Sequence, residues 1–255
     1  DAGVADASTA EEVGTTVPSD LTYLHVEGAK LVDGKGKTAR FTGVNWFGFE
    51  TAQKAPHGLW ARDYRSMLKQ IRDLGVNSVR VPWSNAIMRS DAVAKDVETV
   101  GVDAYDKTDP INADLKGKSP LEMMDRIVAA AGEFGLRIIL DNHSREPDGY
   151  MNEPLWYTDK VSEQQWIADW TTLAKRYAGN PIVVAADLTN EPFGKATWGT
   201  GNKDTDWNSA AERCGDAILA VNPDILIIVE GVSIVDKDSY WWGGNLSAAR
   251  AHPIK

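Results

Sequence analysis

Five polar stations stand out because each follows an apolar run: Asn45 with Glu50, Arg80, Asp141 with His143, Asn190 with Glu191, and Glu230. The stretch Asp187-Leu188-Thr189-Asn190-Glu191-Pro192 closes the run Pro181 to Ala186. Taken alone the stretch reads as a polar turn that Pro192 ends, but a carboxylate at such an end also sits where parallel α/β folds keep their chemistry. Glycoside hydrolysis asks for one carboxyl that protonates the leaving oxygen and a second that attacks or activates water. Glu191 is the candidate donor, and the Asn190 amide is placed to hold a sugar hydroxyl. Arg80 either holds a partner carboxylate ionised or makes a structural ion pair, and the two roles are compatible. His143 bonds substrate, orients a carboxylate, or is a satisfied polar residue. Asp141, His143 and Glu191 are conceivable metal ligands, but they end different strands, so carboxylate chemistry is favoured.

The elements that position these residues alternate. Apolar runs at Phe41–Phe47, Asn77–Trp83, Leu136–Leu140, Pro181–Ala186 and Asp224–Val229 read as strands. Helical periodicity falls between them, at Asp63–Leu74, Ser119–Phe134, Ser162–Tyr177 and Trp207–Val221. Ser119-Pro120 is an N-cap followed by a first-turn proline, and Ser162 with Gln165 spells a capping box. Strict alternation predicts a parallel sheet with right-handed crossovers. If the strands curl into a (β/α)8 barrel, the polar strand ends converge on one face. Upstream, Tyr23–Phe41 carries two turn signals and predicts an N-terminal β-hairpin system. Residues 1–20 are small, acidic and aperiodic and predict a flexible tail; residues 21–255 form the partial barrel domain.

Composition narrows the function. The 255 residues carry a net charge of −10. That argues against nucleic acid or an anionic membrane as partner, because phosphate binding needs a basic face. No apolar run has membrane-spanning length. Neither a Gly-x-Gly-x-x-Gly after the first strand nor a Walker A sequence is present, so no cofactor is expected. The single Cys214 rules out an intrachain disulfide framework and a cysteine zinc cluster. Trp is abundant, at 10 residues. Trp156, Trp198, Trp241 and Trp242 fall in loops, where they either pack or stack on sugar rings.

Taken together, Asn190-Glu191-Pro192, Arg80, Asp141-Asn142-His143 and Val44-Asn45-Trp46-Phe47-Gly48-Phe49-Glu50 resemble glycoside hydrolase family 5, closest to its bacterial endo-β-1,4-glucanases. His57-Gly58-Leu59-Trp60, Leu155-Trp156-Tyr157 and Ser239–Asn245 extend the likeness over residues 23 to 250. The resemblance implies a retaining double displacement with Glu191 as acid/base. It also implies substrate contacts at Asn190, His143 and Arg80, sugar-stacking or cleft-wall positions at Trp46, Trp156 and Trp242, and a contact at Glu50. It implies β-1,4-glucan as substrate and secretion from a bacterium. The family's nucleophile stands on a seventh strand, which these five do not supply. A C-terminal segment or second chain is therefore expected to complete the barrel. The loops also lack the cysteines common in the close relatives, and Ser144–Gly149 differs in detail. Glu230 is read as structural rather than as a substitute second carboxylate. A relative that only binds β-glucan, and a mannan- or xylan-directed glycosidase, remain the competing readings. The open edge at Ile225–Val229 is expected to be long, apolar and prone to pairing.

Overall fold

The computed structural model describes residues 21–255, so the tail expected over 1–20 lies outside the described residues. An antiparallel sheet comes first. Strands β1 (Leu24–Glu27), β2 (Lys30–Asp33) and β3 (Thr38–Ala39) pair in that order. The Asp33 carboxylate shapes the second turn by accepting from Lys35 N and Lys37 N at 2.9 and 2.8 Å. The expected hairpin is thus a three-stranded sheet.

A parallel sheet follows, in the order β4 (Gly43–Asn45), β5 (Ser78–Ser84), β6 (Arg137–Ser144), β7 (Val183–Asp187) and β8 (Leu226–Ile228). Between successive strands run α1 (Tyr64–Asp73), α2 (Pro120–Glu133), α3 (Glu163–Arg176) and α4 (Trp207–Leu219). A small hairpin, β9 (Ile234–Val235) with β10 (Asp238–Ser239), follows β8. Sequential order with every neighbour parallel is the arrangement of an incomplete (β/α)8 barrel, with β4 and β8 at its edges.

Local sequence explains the boundaries. Asp63 caps α1 by accepting from Arg65 N at 2.9 Å. Ser119 and Glu122 form a full capping box ahead of Pro120. Ser162 caps α3 through Gln165 N at 3.2 Å, but Gln165 turns away and donates to Asp169 Oδ1 at 2.8 Å. The expected capping box is therefore half made. The main core lies between sheet and helices, where Val79, Val81, Trp83, Ile138, Leu140 and Val183 meet Leu68, Met124, Ile127, Trp166, Trp170 and Leu173. Each such side chain contributes about 1.5–3 kcal/mol by leaving water. A smaller cluster of Leu24, Val184 and Ala185, with Ile139, Leu226 and Ile228 against it, occupies the other side of the sheet.

β6 runs past the expected Leu140 to Ser144 and so takes in Asp141, Asn142 and His143, and two strands are shorter than expected. β4 is three residues rather than Phe41–Phe47. Trp46 N still donates to Arg80 O at 2.9 Å, and then the backbone turns in at Gly48, where φ is +139° and a Cβ would meet Ala55 O at 2.1 Å. β8 is also three residues, each half-buried, and Ile225 is buried beside it. The long apolar edge is thereby shortened, as short edge strands are less available for pairing.

Candidate active site

Arg80 inside β5, Asp141 inside β6 and Asp187 at the end of β7 carry the charged side chains. Arg80 pairs in register with Ile139, so Asp141 lies two residues further along β6 on the same face. Asp141 in turn pairs with Asp187 at the end of β7. The register thus gathers two buried carboxylates over one guanidinium. Arg80 Nη1 meets Asp141 Oδ2 at 2.9 Å, while Nε and Nη2 donate to Asp187 Oδ2 at 3.0 and 2.8 Å. Nη2 also donates to Asn190 Oδ1 at 3.0 Å and to Glu230 Oε1 at 3.2 Å. Burial opposes the Arg80 charge, but Asp141, Asp187 and Glu230 outweigh it and raise the guanidinium above its ordinary value. One cation faces three carboxylates. Burial, reinforced by the charge of Asp141, pushes the Asp187 carboxyl well above the usual range despite Arg80. Burial likewise raises Glu230, against the opposing pull of the Glu191 amide and Arg80. The cluster therefore retains a proton at pH values where isolated carboxyls have lost theirs.

Asn190 and Glu191 follow β7. Asn190 N donates to Asn142 O at 3.1 Å, and Arg80 fixes its side-chain oxygen. Glu191 has φ +46° and an exposed side chain. A left-handed conformation costs about 1–2 kcal/mol in a residue with a Cβ. Its amide is held by Glu230, whose Oε2 accepts at 2.9 Å. His143 Nδ1 contacts Asp141 Oδ2 at 2.7 Å. Burial depresses this imidazole, but the hydrogen bond and charge of Asp141 outweigh it and raise the histidine overall. Among the described residues no group of three or more His, Cys, Asp or Glu is disposed to hold a metal ion.

Some expected contacts lie elsewhere. Trp156 is fully buried, tilted against Trp207 and donating Nε1 to Glu163 Oε2 at 2.7 Å. It is a core residue, not a stacking platform. Trp46 is also buried, its Nε1 donating to His57 O at 2.9 Å. Glu50 is turned inward, where Oε2 accepts from Gly48 N at 2.7 Å and supports the turn after β4. Burial raises its carboxyl, with the Gly48 amide opposing. Trp242 is exposed at 37% and lies flat on Phe193, centroids 4.0 Å apart and planes 7° from parallel. Trp241 is more exposed, and Trp198 is buried.

The sequence reading overlooked three features. Asp187 is a member of the Arg80 cluster; two acidic residues ending adjacent buried strands with one arginine beside them were the available signal. Phe193 supports Trp242, which only tertiary structure reveals. Phe47, His57 and Trp60 form a surface shelf with centroid spacings of 4.4 Å for both ring pairs. Phe47 and Trp60 are about half exposed, and two large exposed aromatics close in space were not evident from positions 13 residues apart.

A parallel βα array whose charged residues meet on one face of the sheet, with Asn190, Glu191 and Glu230 past the C-terminal ends of β7 and β8, defines a barrel protein that keeps its site on that face. The chain matches the family described as cellulase (glycosyl hydrolase family 5) over residues 32–255. It belongs to that family. It is 46% identical to an endoglucanase of Paenibacillus polymyxa over 91% of this chain and 56% of the relative. It is 42% identical to the major extracellular endoglucanase of Xanthomonas campestris pv. campestris over 88% and 45%. The solved catalytic domain of the major endoglucanase from that Xanthomonas superposes with a TM-score of 0.82 at 40% identity, covering 91% of this chain and 65% of that one. An endocellulase of Pyrococcus horikoshii in complex with cellotetraose gives 0.79 at 37%, covering 92% and 66%. The chain thus spans about half the length of these curated relatives and about two thirds of the solved chains. No helix among the described residues is long and apolar enough to cross a membrane.

Proposed function

We propose that this chain carries the acid/base half of a retaining endo-β-1,4-glucanase that acts on β-1,4-glucan outside the cell. The observation that carries the reading is the setting of Glu191. Its exposed carboxyl follows a barrel strand, beside an asparagine whose amide is oriented by Arg80. With Oδ1 engaged, Asn190 presents Nδ2 as a donor to a sugar hydroxyl. Such a contact strengthens as oxocarbenium character develops.

The proposed reaction has two steps. A carboxylate nucleophile, supplied by a segment outside this chain, attacks the anomeric carbon. The Glu191 carboxyl protonates the departing oxygen, leaving a glycosyl–enzyme ester. Glu191 carboxylate then takes a proton from water, whose oxygen displaces the ester and restores the nucleophile. His143 and Arg80 hold the charged floor of the site, and Trp242 on Phe193 offers an apolar face to a pyranose. Likeness to endoglucanases, one of them described as extracellular, supports the substrate class and the location.

Hydrolysis of carboxymethylcellulose, mannan and xylan, measured together with the mass of the active species, tests this. Glucan hydrolysis is expected, and Glu191→Gln is expected to lower it by about 10²–10⁴-fold, the usual share of general acid–base catalysis. Retained turnover in Glu191→Gln would refute the acid role. Activity in a species of only these 255 residues would refute a nucleophile outside the chain. Preference for mannan or xylan would move the substrate class, and glucan binding without hydrolysis by any species would leave a binding protein.

A further inference from the structure

Glu230 lies two residues past β8, beyond the residues that the proposed reaction uses. Its two oxygens have different partners. Oε1 accepts from Arg80 Nη2 at 3.2 Å and Oε2 from Glu191 N at 2.9 Å. The second bond falls on a backbone held at φ +46°. A charged acceptor on that amide gives a left-handed glutamate a partner that a regular strand would not supply.

A third segment closes on the same point. Gly231 N donates to Gly243 O at 2.7 Å, and Val232 and Asn245 exchange backbone hydrogen bonds at 3.2 and 3.0 Å. This ladder brings residues 241–245 across Glu230. Gly243 has φ +71°, and a Cβ there would stand 2.1 Å from Glu230 Oε2 and 3.2 Å from the Glu191 Cα. Only glycine allows this approach. The same turn carries Trp242 onto Phe193, two residues beyond Glu191. Carboxylate, strained backbone and aromatic face are therefore joined through one contact.

We propose that Glu230 and Gly243 are positioning residues for Glu191: the Glu230 carboxylate, anchored on Arg80, holds the left-handed Glu191 backbone, and Gly243 lets the Trp242 segment close over both. The inference rests on Glu191 being the acid/base. Glu230 does not touch the reacting atoms in this scheme. It sets the direction in which the Glu191 side chain leaves the backbone.

The test compares Glu230→Ala, Glu230→Gln and Gly243→Ala with Glu191→Gln in the full-length protein, with folding checked by near-ultraviolet circular dichroism. Two readouts are used. The first is the Glu191 amide resonance under selective 15N-glutamate labelling. The short, charge-assisted bond to a carboxylate places it downfield, and Glu230→Ala is expected to move it upfield. Glu230→Gln keeps one oxygen acceptor and is expected to retain most of the shift. The second is kcat/KM on cellotetraose against 2,4-dinitrophenyl cellobioside. The latter has a leaving group that needs no proton, so lost acid positioning spares it. Glu230→Ala is expected to lose about 10²-fold on cellotetraose and less than about fivefold on the aryl substrate, with Glu230→Gln recovering to within about tenfold of the parent. Gly243→Ala is expected to show the same split. Equal losses on the two substrates would mean a merely structural role and would overturn the proposal. So would an unmoved Glu191 amide in Glu230→Ala, or a moved amide with cellotetraose hydrolysis within twofold of the parent. If Glu191→Gln itself shows no split, the acid/base reading fails, while the amide readout still reports whether Glu230 holds that backbone.

Discussion

Arg80→Met is the sharpest test of how the charged floor is balanced. Methionine keeps most of the aliphatic stem but leaves Asp141, Asp187 and Glu230 without their shared cation. Breaking a buried ion pair by removing one partner costs about 3–5 kcal/mol. The Arg80 side chain is 21% exposed, so the lower end applies, ~3 kcal/mol. With a urea m-value of about 2–3 kcal/mol/M, the unfolding midpoint at neutral pH should fall by ~1–1.5 M. The loss must also depend on pH. Burial holds the Asp187 and Glu230 carboxyls above the ordinary range. A raised folded-state value means that the folded chain binds more protons than the unfolded one. Stability contributed by these groups is therefore present below about pH 4, and it is lost as pH rises through the folded-state values. Without Arg80 those values rise further and the ionised cluster is less well compensated. Urea titrations at about pH 4.5 and pH 7 should thus show a small gap between parent and variant at the lower pH and the full gap at the higher. Adding Asp187→Asn should recover part of the neutral-pH loss. A gap below ~1 kcal/mol, or one equal at both pH values, would refute the argument.

Three further substitutions test buried and exposed side chains away from the Arg80 cluster. Glu153→Gln should destabilise by ~3 kcal/mol in urea, because it leaves Arg145 buried beside a neutral partner. Arg145 is only 1% exposed, and Glu153 also accepts from the Arg145 and Glu146 amides; a cost under ~1 kcal/mol would show that the loop does not depend on the pair. Trp242→Ala should weaken cello-oligosaccharide binding about tenfold, ~1.4 kcal/mol by calorimetry, at little cost in stability. Trp156→Ala should do the reverse and lose ~3–5 kcal/mol of stability as a core truncation. Equal effects of the two variants on binding would contradict their different burial.

The strands and helices were legible because apolar runs and helix signals alternate without conflict. Ser119-Pro120 and Asp63 mark helix starts where the structure has them. The family, too, could be read from Asn190-Glu191-Pro192 with Arg80 and His143. Burial of loop tryptophans was not legible, since an indole in a loop packs inward or outward depending on what lies across from it. Trp156 turns inward because Glu163, itself clamped by Arg213 Nε and Nη2 at 2.7 and 2.9 Å, receives its N–H. Glu50 sits one position after a conspicuous aromatic run, but its partner is a backbone amide two residues back. Acidic residues after adjacent apolar runs hinted at the clustering of Asp187 with Asp141, but their pairing in register is fixed by the sheet.

Beneath the rim, Asn142 joins residues from separate βα units. Its Oδ1 accepts from Arg145 Nη1 at 3.0 Å and Trp166 Nε1 at 3.1 Å, while Nδ2 donates to Asn85 Oδ1 at 3.1 Å. Asn85 donates on to Asp169 Oδ2 at 2.7 Å, and Arg89 meets the same carboxylate. Barrel families are often pictured as interchangeable strand–helix modules. Here a recombination crossover anywhere between Arg145 and Ser162 would inherit Asn85, Arg89 and Asn142 from one parent and Trp166 and Asp169 from the other. Unless the parents share all five, the chimera buries polar atoms without partners directly under Asn190. The transferable unit is the ends of β5 and β6 together with helix α3, and an exchange that respects it keeps the floor of the site intact.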